Sequence, residues 1–220
     1  MNHPDKQIKS YVLRQGRLTR AQQNALDNHW NDYGIDADGV MLDLGSLFGN
    51  TAPVTLEIGF GNGDSLIEQA KLHPENNYIG IEVHTPGVGH CLHRIQQEGL
   101  NNIKVMRHDA TLVLNQQIPD DSLQCVQLFF PDPWHKRRHH KRRILQQDFA
   151  DSIHRKLLNG GLFHMATDWE HYADHMRSEM DTNDKFSFYS DNRGERPLTK
   201  FEARGIRLGH GVWDLIYKKI

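Results

Sequence analysis

Three glycines at alternate positions, Gly59, Gly61 and Gly63, stand between the apolar, β-branched run Val54–Ile58 and a helical pattern over residues 65–72. A strand, a glycine turn and a helix in that order make a nucleotide-type pocket, because a turn with positive φ and no Cβ lets a ligand approach the backbone closely. The spacing is not that of a dinucleotide site. Counting from Gly59 the third glycine position of Gly-x-Gly-x-x-Gly is Asp64, and counting from Gly61 it is Leu66, so no pyrophosphate is expected over the helix N-terminus. Glu57, two residues before Gly59, would repel a pyrophosphate but attract a ligand carrying an amino group and a sulfonium. That combination points to S-adenosylmethionine. Glu82 ends a second apolar run and follows the glycines at roughly the 20-residue interval at which an acid meets ribose hydroxyls. The bland alternative is a glycine turn with no ligand and a solvated Glu82.

Five acids fall at or just after the ends of successive apolar runs: Glu57, Glu82, Asp109, Asp132 and Asp168. Gathered at one sheet edge they would repel one another unless cations or hydrogen-bond donors divide them. Asp109 could receive an adenine amino group or simply cap the helix that begins after it. Asp132 lies between Pro131 and Pro133 and is followed by Trp134. The two prolines fix the backbone around the carboxylate, and the indole offers a flat face for a base. Directly afterwards, residues 135–143 read His-Lys-Arg-Arg-His-His-Lys-Arg-Arg, six permanent cations in nine positions. Basic runs are often merely solvated helix faces, but the place of this one directly after the Asp132 turn favours a phosphate backbone. Its histidines would add charge in mild acid. With no cysteine or carboxylate at metal spacing, no metal site is expected.

The elements that must position these groups alternate. Strand patterns at residues 54–58, 78–83, 103–107, 123–130 and 161–166 are separated by helical patterns at 65–72, 86–98, 111–116 and 144–157, with a further helix at 169–180. This is the signature of a parallel sheet covered on both faces. Thr85 is the expected cap of the helix starting at Pro86. Two last strands, at 186–190 and 212–218, flank a polar excursion and predict an antiparallel hairpin at one edge, seven strands in all. A loop of that length is expected to be functional. Residues 1–30 read as a mobile basic arm with a short helix, capped by Thr19 and Gln22 and ending near Asn28, after which Trp30, Tyr33 and Gly34 suggest a loop. Residues 31–220 read as one domain. Cys91 and Cys125 suit reduced thiols, and no apolar run approaches a membrane span. A cytoplasmic protein is expected. The net charge of −2 does not itself announce a nucleic-acid partner, but an even sum can hide a local field.

Taken together, Leu56-Glu-Ile-Gly-Phe-Gly-Asn-Gly, Gly80-Ile-Glu-Val-His, Pro131-Asp-Pro-Trp-His-Lys, Ala166-Thr-Asp-Trp-Glu, Thr199-Lys-Phe-Glu and Arg207-Leu-Gly-His-Gly-Val-Trp-Asp-Leu closely resemble the motifs of bacterial tRNA (guanine-N7)-methyltransferases. The resemblance runs from about Ser10 to the end. It implies a doubly wound, Rossmann-like methyltransferase fold and methylation of the variable-region guanine of tRNA, usually numbered 46. It also implies cofactor contacts from Glu57, Glu82, Asp109 and Asp132, beside the glycines, with catalysis centred on Asp132. Substrate contacts would come from Lys136, Asp168, Thr199, Lys200, Phe201 and Glu202, and tRNA would run along Arg138, His139, His140, Lys141, Arg142 and Arg143. The expected partner is tRNA, with no membrane and no metal, and the protein acts as a monomer or homodimer. A small-molecule methyltransferase would have no use for the basic run, and a non-enzymatic RNA binder no reason to keep the cofactor pocket.

Overall fold

A computed structural model of the chain describes residues 9–13, 16–198, 202–203, 209 and 211–220. The helix α1 (Arg20–Tyr33) opens on the expected capping box, with Thr19 and Gln22 exchanging hydrogen bonds. It runs past Asn28 to Tyr33, because Trp30 and Tyr33 pack against the core instead of leading into a loop. The two-residue strand β1 (Gly34–Ile35) and short α2 (Leu44–Phe48) follow. The alternating part then comprises β2 (Val54–Ile58), α3 (Asp64–Leu72), β3 (Asn77–Ile81), α4 (Thr85–Glu98), β4 (Ile103–Met106), α5 (Ala110–Gln116), β5 (Leu123–Phe129), α6 (Gln147–Lys156), β6 (Leu157–Thr167) and α7 (Glu170–Asp181). The hairpin is β7 (Phe186–Ser190) with β8 (Trp213–Lys219).

All strands form one sheet in the order β1-β4-β3-β2-β5-β6-β8-β7. Pairing is parallel from β1 to β6 and antiparallel from β6 through β8 to β7. The strand additional to the expected seven is β1. The helix after β5 begins at Gln147, later than its apolar pattern suggests, and the basic run Arg137–Arg142 ahead of it forms a separate 3₁₀ turn. His84, not Thr85, occupies the cap position of α4.

Apolar burial explains the layers. One face of the sheet packs Val126, Leu128 and Phe163 against Phe149, Ile153 and Met176 of α6 and α7. The other packs Tyr78, Ile103 and Val105 against Leu66, Ile67, Val88 and Leu92 of α3 and α4. Each fully buried side chain of this kind contributes roughly 1.5–3 kcal/mol. Because β2 lies between β3 and β5, the chain leaves it in opposite directions along the sheet. That reversal opens a crevice beyond the carboxyl ends of the strands, where ligands bind in such sheets. Among the described residues no helix is long and apolar enough to cross a membrane.

Candidate active site

The crevice is floored by the glycine turn. Gly59 and Gly61 have φ of 73° and 60°, a region L side chains avoid, and no atom lies within 4 Å of where their Cβ would be. The space above them is open to a ligand. Gly63 has a different reason for being glycine, since a Cβ there would collide with Cys91 on α4. Glu82 is drawn beneath this turn. Its Oε2 accepts from Gly61 N at 2.8 Å, and its Oε1 accepts from Val83 N at 2.6 Å and His84 N at 2.8 Å. Three main-chain donors fix the carboxylate at the mouth of β3, leaving its remaining lone pairs toward the cavity it lines.

Asp109 lines the same cavity and also caps α5, accepting from Thr111 N at 3.0 Å. The helix-cap reading of this residue holds in its geometry, and the same residue also lines the ligand space. Glu57 is 3% exposed and its Oε2 has no hydrogen-bond partner. Burial pushes its carboxyl up to about 8, with the Arg196 guanidinium opposing and Glu82 reinforcing the shift. Glu57 is not itself among the lining residues of the cavity; His108 is, and it carries a buried Nδ1 without a partner. A buried polar atom of this kind calls for a partner, and the cavity lined by Gly59, Glu82, His108 and Asp109 has the chemistry to hold a ligand that carries an amino group, hydroxyls and a base. The residues present therefore fit the cofactor.

Beyond β5 the chain makes the Pro131-Asp132-Pro133 turn. Phe130 and Trp134, which bracket it, have φ of 50° and 48°. Left-handed backbone in aromatic residues costs about 1–3 kcal/mol each and persists only where surroundings enforce it. Part of that enforcement is Arg143, which is 4% exposed, donates from Nε to Pro133 O at 3.0 Å and lies over the Tyr172 ring at 4.8 Å. Asp132 borders two cavities at once: the cofactor crevice, and a second cleft lined by Val12, Trp134, His135, Lys136 and His139. The His135 ring meets Trp169 edge-on at 4.3 Å, which joins this turn to the loop after β6 that carries Asp168.

Several expectations need correction. Arg143 is turned inward and does not lie along the surface, and Arg142 stacks on Trp134 at 3.9 Å and bonds to the main chain of residues 9–11. One face of Trp134 is thus covered by a cation and is not open to a base. His139 and His140 have their pKa lowered by partial desolvation and then by neighbouring arginines, so they add charge only at more acidic pH. Arg137, Arg138 and Lys141 remain exposed, as does Lys136. Glu202 is buried in ion pairs with Arg196 at 2.7 Å and Arg193 at 3.1 Å. Thr199, Lys200 and Phe201 lie outside the described residues. Among described residues no group of three or more His, Cys, Asp or Glu is placed to hold a metal.

Sequence reasoning missed Arg196. Its Nε and Nη2 bond to the two oxygens of Asp214 at 2.8 and 2.9 Å, its Nη1 to Glu202, and its guanidinium lies 5.3 and 5.4 Å over Phe129 and Phe130. His164 completes the cluster through Asp214 at 2.7 Å. Burial would raise the Asp214 carboxyl, but His164 and Arg196 hold it below its usual value. The sequence carried no signal for it, because an arginine in a polar excursion reads as solvated.

A parallel sheet with its switch point above a glycine turn, acids at the strand ends and an antiparallel hairpin at one edge defines an adenosylmethionine-dependent methyltransferase. Residues 51–215 match a family profile described as "Putative methyltransferase". The chain is 55% identical to the tRNA (guanine-N(7)-)-methyltransferases of Escherichia coli strain K12 and Shigella boydii serotype 4 strain Sb227, over 99% of this chain and 93% of each relative. It belongs to the tRNA (guanine-N7)-methyltransferase family. Among solved structures, the aminoglycoside resistance methyltransferase NpmB1 superposes with a TM-score of 0.55 at 16% identity, covering 81% of this chain and 92% of that one. At that identity the likeness is one of fold.

Proposed function

We propose that this enzyme transfers a methyl group to N7 of the variable-region guanine of tRNA, position 46, in the cytoplasm. The observation that carries the reading is the place of Asp132, on a strained turn between the cofactor crevice and a cleft that opens on the basic run. The 55% identity to relatives named tRNA (guanine-N(7)-)-methyltransferase supports the guanine-N7 chemistry.

Adenosylmethionine supplies an electrophilic methyl on a sulfonium. Guanine N7 has a free lone pair, so no base must remove a proton first, and the chain's task is alignment and electrostatics. Glu57 takes the ammonium, Glu82 the ribose hydroxyls, and Asp109 with His108 the adenine end. Aligning two reactants in this way is worth up to roughly 7–11 kcal/mol in favourable cases. Positive charge passes to the guanine ring during transfer, so a fixed carboxylate at Asp132 stabilises the transition state more than the ground state. Asp168 is assigned to the guanine N1–H or N2–H, and Lys136 to the neighbouring phosphate.

Incubation with labelled adenosylmethionine and unmodified tRNA, followed by nucleoside analysis, should yield 7-methylguanosine from wild type and none from Asp132→Ala. A tRNA with adenine at position 46 should stay unlabelled. Label in another nucleoside would overturn the assignment.

A further inference from the structure

The described N-terminal residues cross the mouth of the cofactor crevice. Ser10 and Tyr11 line it beside Glu82 and Asp109. They are held there by their main chain. Trp134 Nε1 donates to Ser10 O at 3.0 Å, Arg142 Nε to Lys9 O at 3.0 Å, and Arg142 Nη2 to Tyr11 O at 3.2 Å. The two side chains that make these bonds are stacked on each other, guanidinium over indole at 3.9 Å. Trp134 is also the residue whose left-handed backbone closes the Asp132 turn. We propose that Arg142 and Trp134 are positioning residues that hold residues 9–11 as the outer wall of the cofactor pocket, so that Arg142, despite standing in the basic run, serves the cofactor and not the tRNA backbone.

Three features support this assignment. The acceptors are carbonyl oxygens two residues apart, and only a fork of planar donors reaches both, which a lysine ammonium does not reproduce. Arg142 is half-buried, with its Nε and Nη2 bonded to carbonyls and its plane stacked on an indole, whereas Arg137, Arg138 and Lys141 beside it are exposed. The latch also joins the cofactor wall to the catalytic turn through a single indole, so the pocket closes where Asp132 is held.

The test compares Arg142→Ala and Arg142→Lys, both in the full chain. Calorimetry with S-adenosylhomocysteine should show Kd rising about tenfold or more in each variant, as expected when hydrogen bonds from a charged donor are lost. In steady state, KM for adenosylmethionine should rise while KM for tRNA is unchanged. The salt dependence of tRNA affinity should match wild type in both variants. Trp134→Phe, which removes the bond to Ser10 and keeps a ring under the guanidinium, should give a smaller rise in Kd. Tyr11→Ala combined with Arg142→Ala should weaken cofactor binding by less than the product of the two single effects, since both act through one wall. A phosphate contact predicts the opposite pattern: the lysine variant rescued, the alanine variant with a shallower salt slope, and cofactor affinity unmoved. That result would overturn the proposal, and so would additive effects of Tyr11 and Arg142.

Discussion

Among single residues Glu57 has the least ordinary chemistry. Its carboxyl is buried on the central strand with one oxygen unpartnered and its pKa pushed up to about 8, while Arg196 and Glu82 face it with opposite charges. The sign of the consequence is fixed. Folded Glu57 keeps its proton up to about pH 8, whereas the unfolded chain releases it near 4.5, so stability of the ligand-free protein declines as pH rises through that window. Cofactor binding works in the other direction, because an ammonium needs the carboxylate. Below pH 8, binding should release a proton from Glu57, and affinity should weaken up to about tenfold for each unit of pH. Above pH 8 the ligand's own α-amino group, with an ordinary pKa of about 7.7–8.0, loses its charge. S-adenosylhomocysteine should therefore bind most tightly near pH 8. Calorimetry in buffers of differing ionisation enthalpy measures the released proton directly, and Glu57→Gln should abolish the acidic limb. Affinity flat with pH in the wild type would remove Glu57 from the ammonium site.

At the scale of elements, the antiparallel end of the sheet carries a buried ion cluster beside the apolar packing of Phe186, Leu215 and Tyr217. Arg196 joins the excursion between β7 and β8 to Asp214 on β8, to Glu202, and to the rings that lead into the Asp132 turn. Removing one partner of such a cluster leaves the others buried and uncompensated, which costs about 3–5 kcal/mol. Arg196→Met should thus lower the melting temperature by about 6–20 °C for a chain of this size. A change of only a degree or two would show that water reaches Asp214 and Glu202. None of this was legible in the sequence, because Arg196 and Asp214 lie 18 residues apart across a polar excursion and an unpatterned arginine reads as solvated. The strands were legible for the converse reason. β2 and β7 match their predicted bounds residue for residue; for β2, burial on both faces leaves only one way to satisfy its apolar run, whereas β7 is an edge strand marked by its aromatic residues with only Phe186 buried. β1 escaped notice, two residues being too few to show a period. Trp30 and Tyr33 were misread as loop because their aromatic rings finish α1 against α4 and its neighbours, a tertiary contact without a local pattern. The site divided in the same way: Glu57, Glu82, Asp109 and Asp132 were placed by motif and strand end, while Ser10, Tyr11, His108 and the inward turn of Arg142 and Arg143 depend on packing between distant segments.

Over the whole molecule the net charge is only −2, with 26 basic and 28 acidic residues, so any attraction for a polyanion must come from arrangement and not from the total. The basic run 136–143 after the Asp132 turn is the candidate for it, but with fewer exposed cations than its six permanent charges suggest. Arg142 and Arg143 are committed to the N-terminal wall and the Pro133 carbonyl, and His139 and His140 are held neutral at physiological pH by desolvation and neighbouring arginines. The exposed cations of the run are Lys136, which lines the cleft that Asp132 borders, and Arg137, Arg138 and Lys141 after it, and on the proposed function these are the ones available to a tRNA backbone. Each phosphate neutralised releases condensed counterion and steepens the fall of log affinity with log salt by about 0.7–0.9. Replacing Arg137, Arg138 and Lys141 together by Gln should therefore weaken tRNA binding and flatten the slope by up to about 2–3, with S-adenosylhomocysteine affinity unchanged. Arg143→Gln should do the reverse, leaving the slope intact while lowering turnover, because it loosens the turn that holds Asp132. The measurement is tRNA affinity against salt for wild type and both variants, with single-turnover rates alongside. A triple variant with the wild-type slope would mean that the exposed cations are a solvated face and that the backbone is carried elsewhere on the protein.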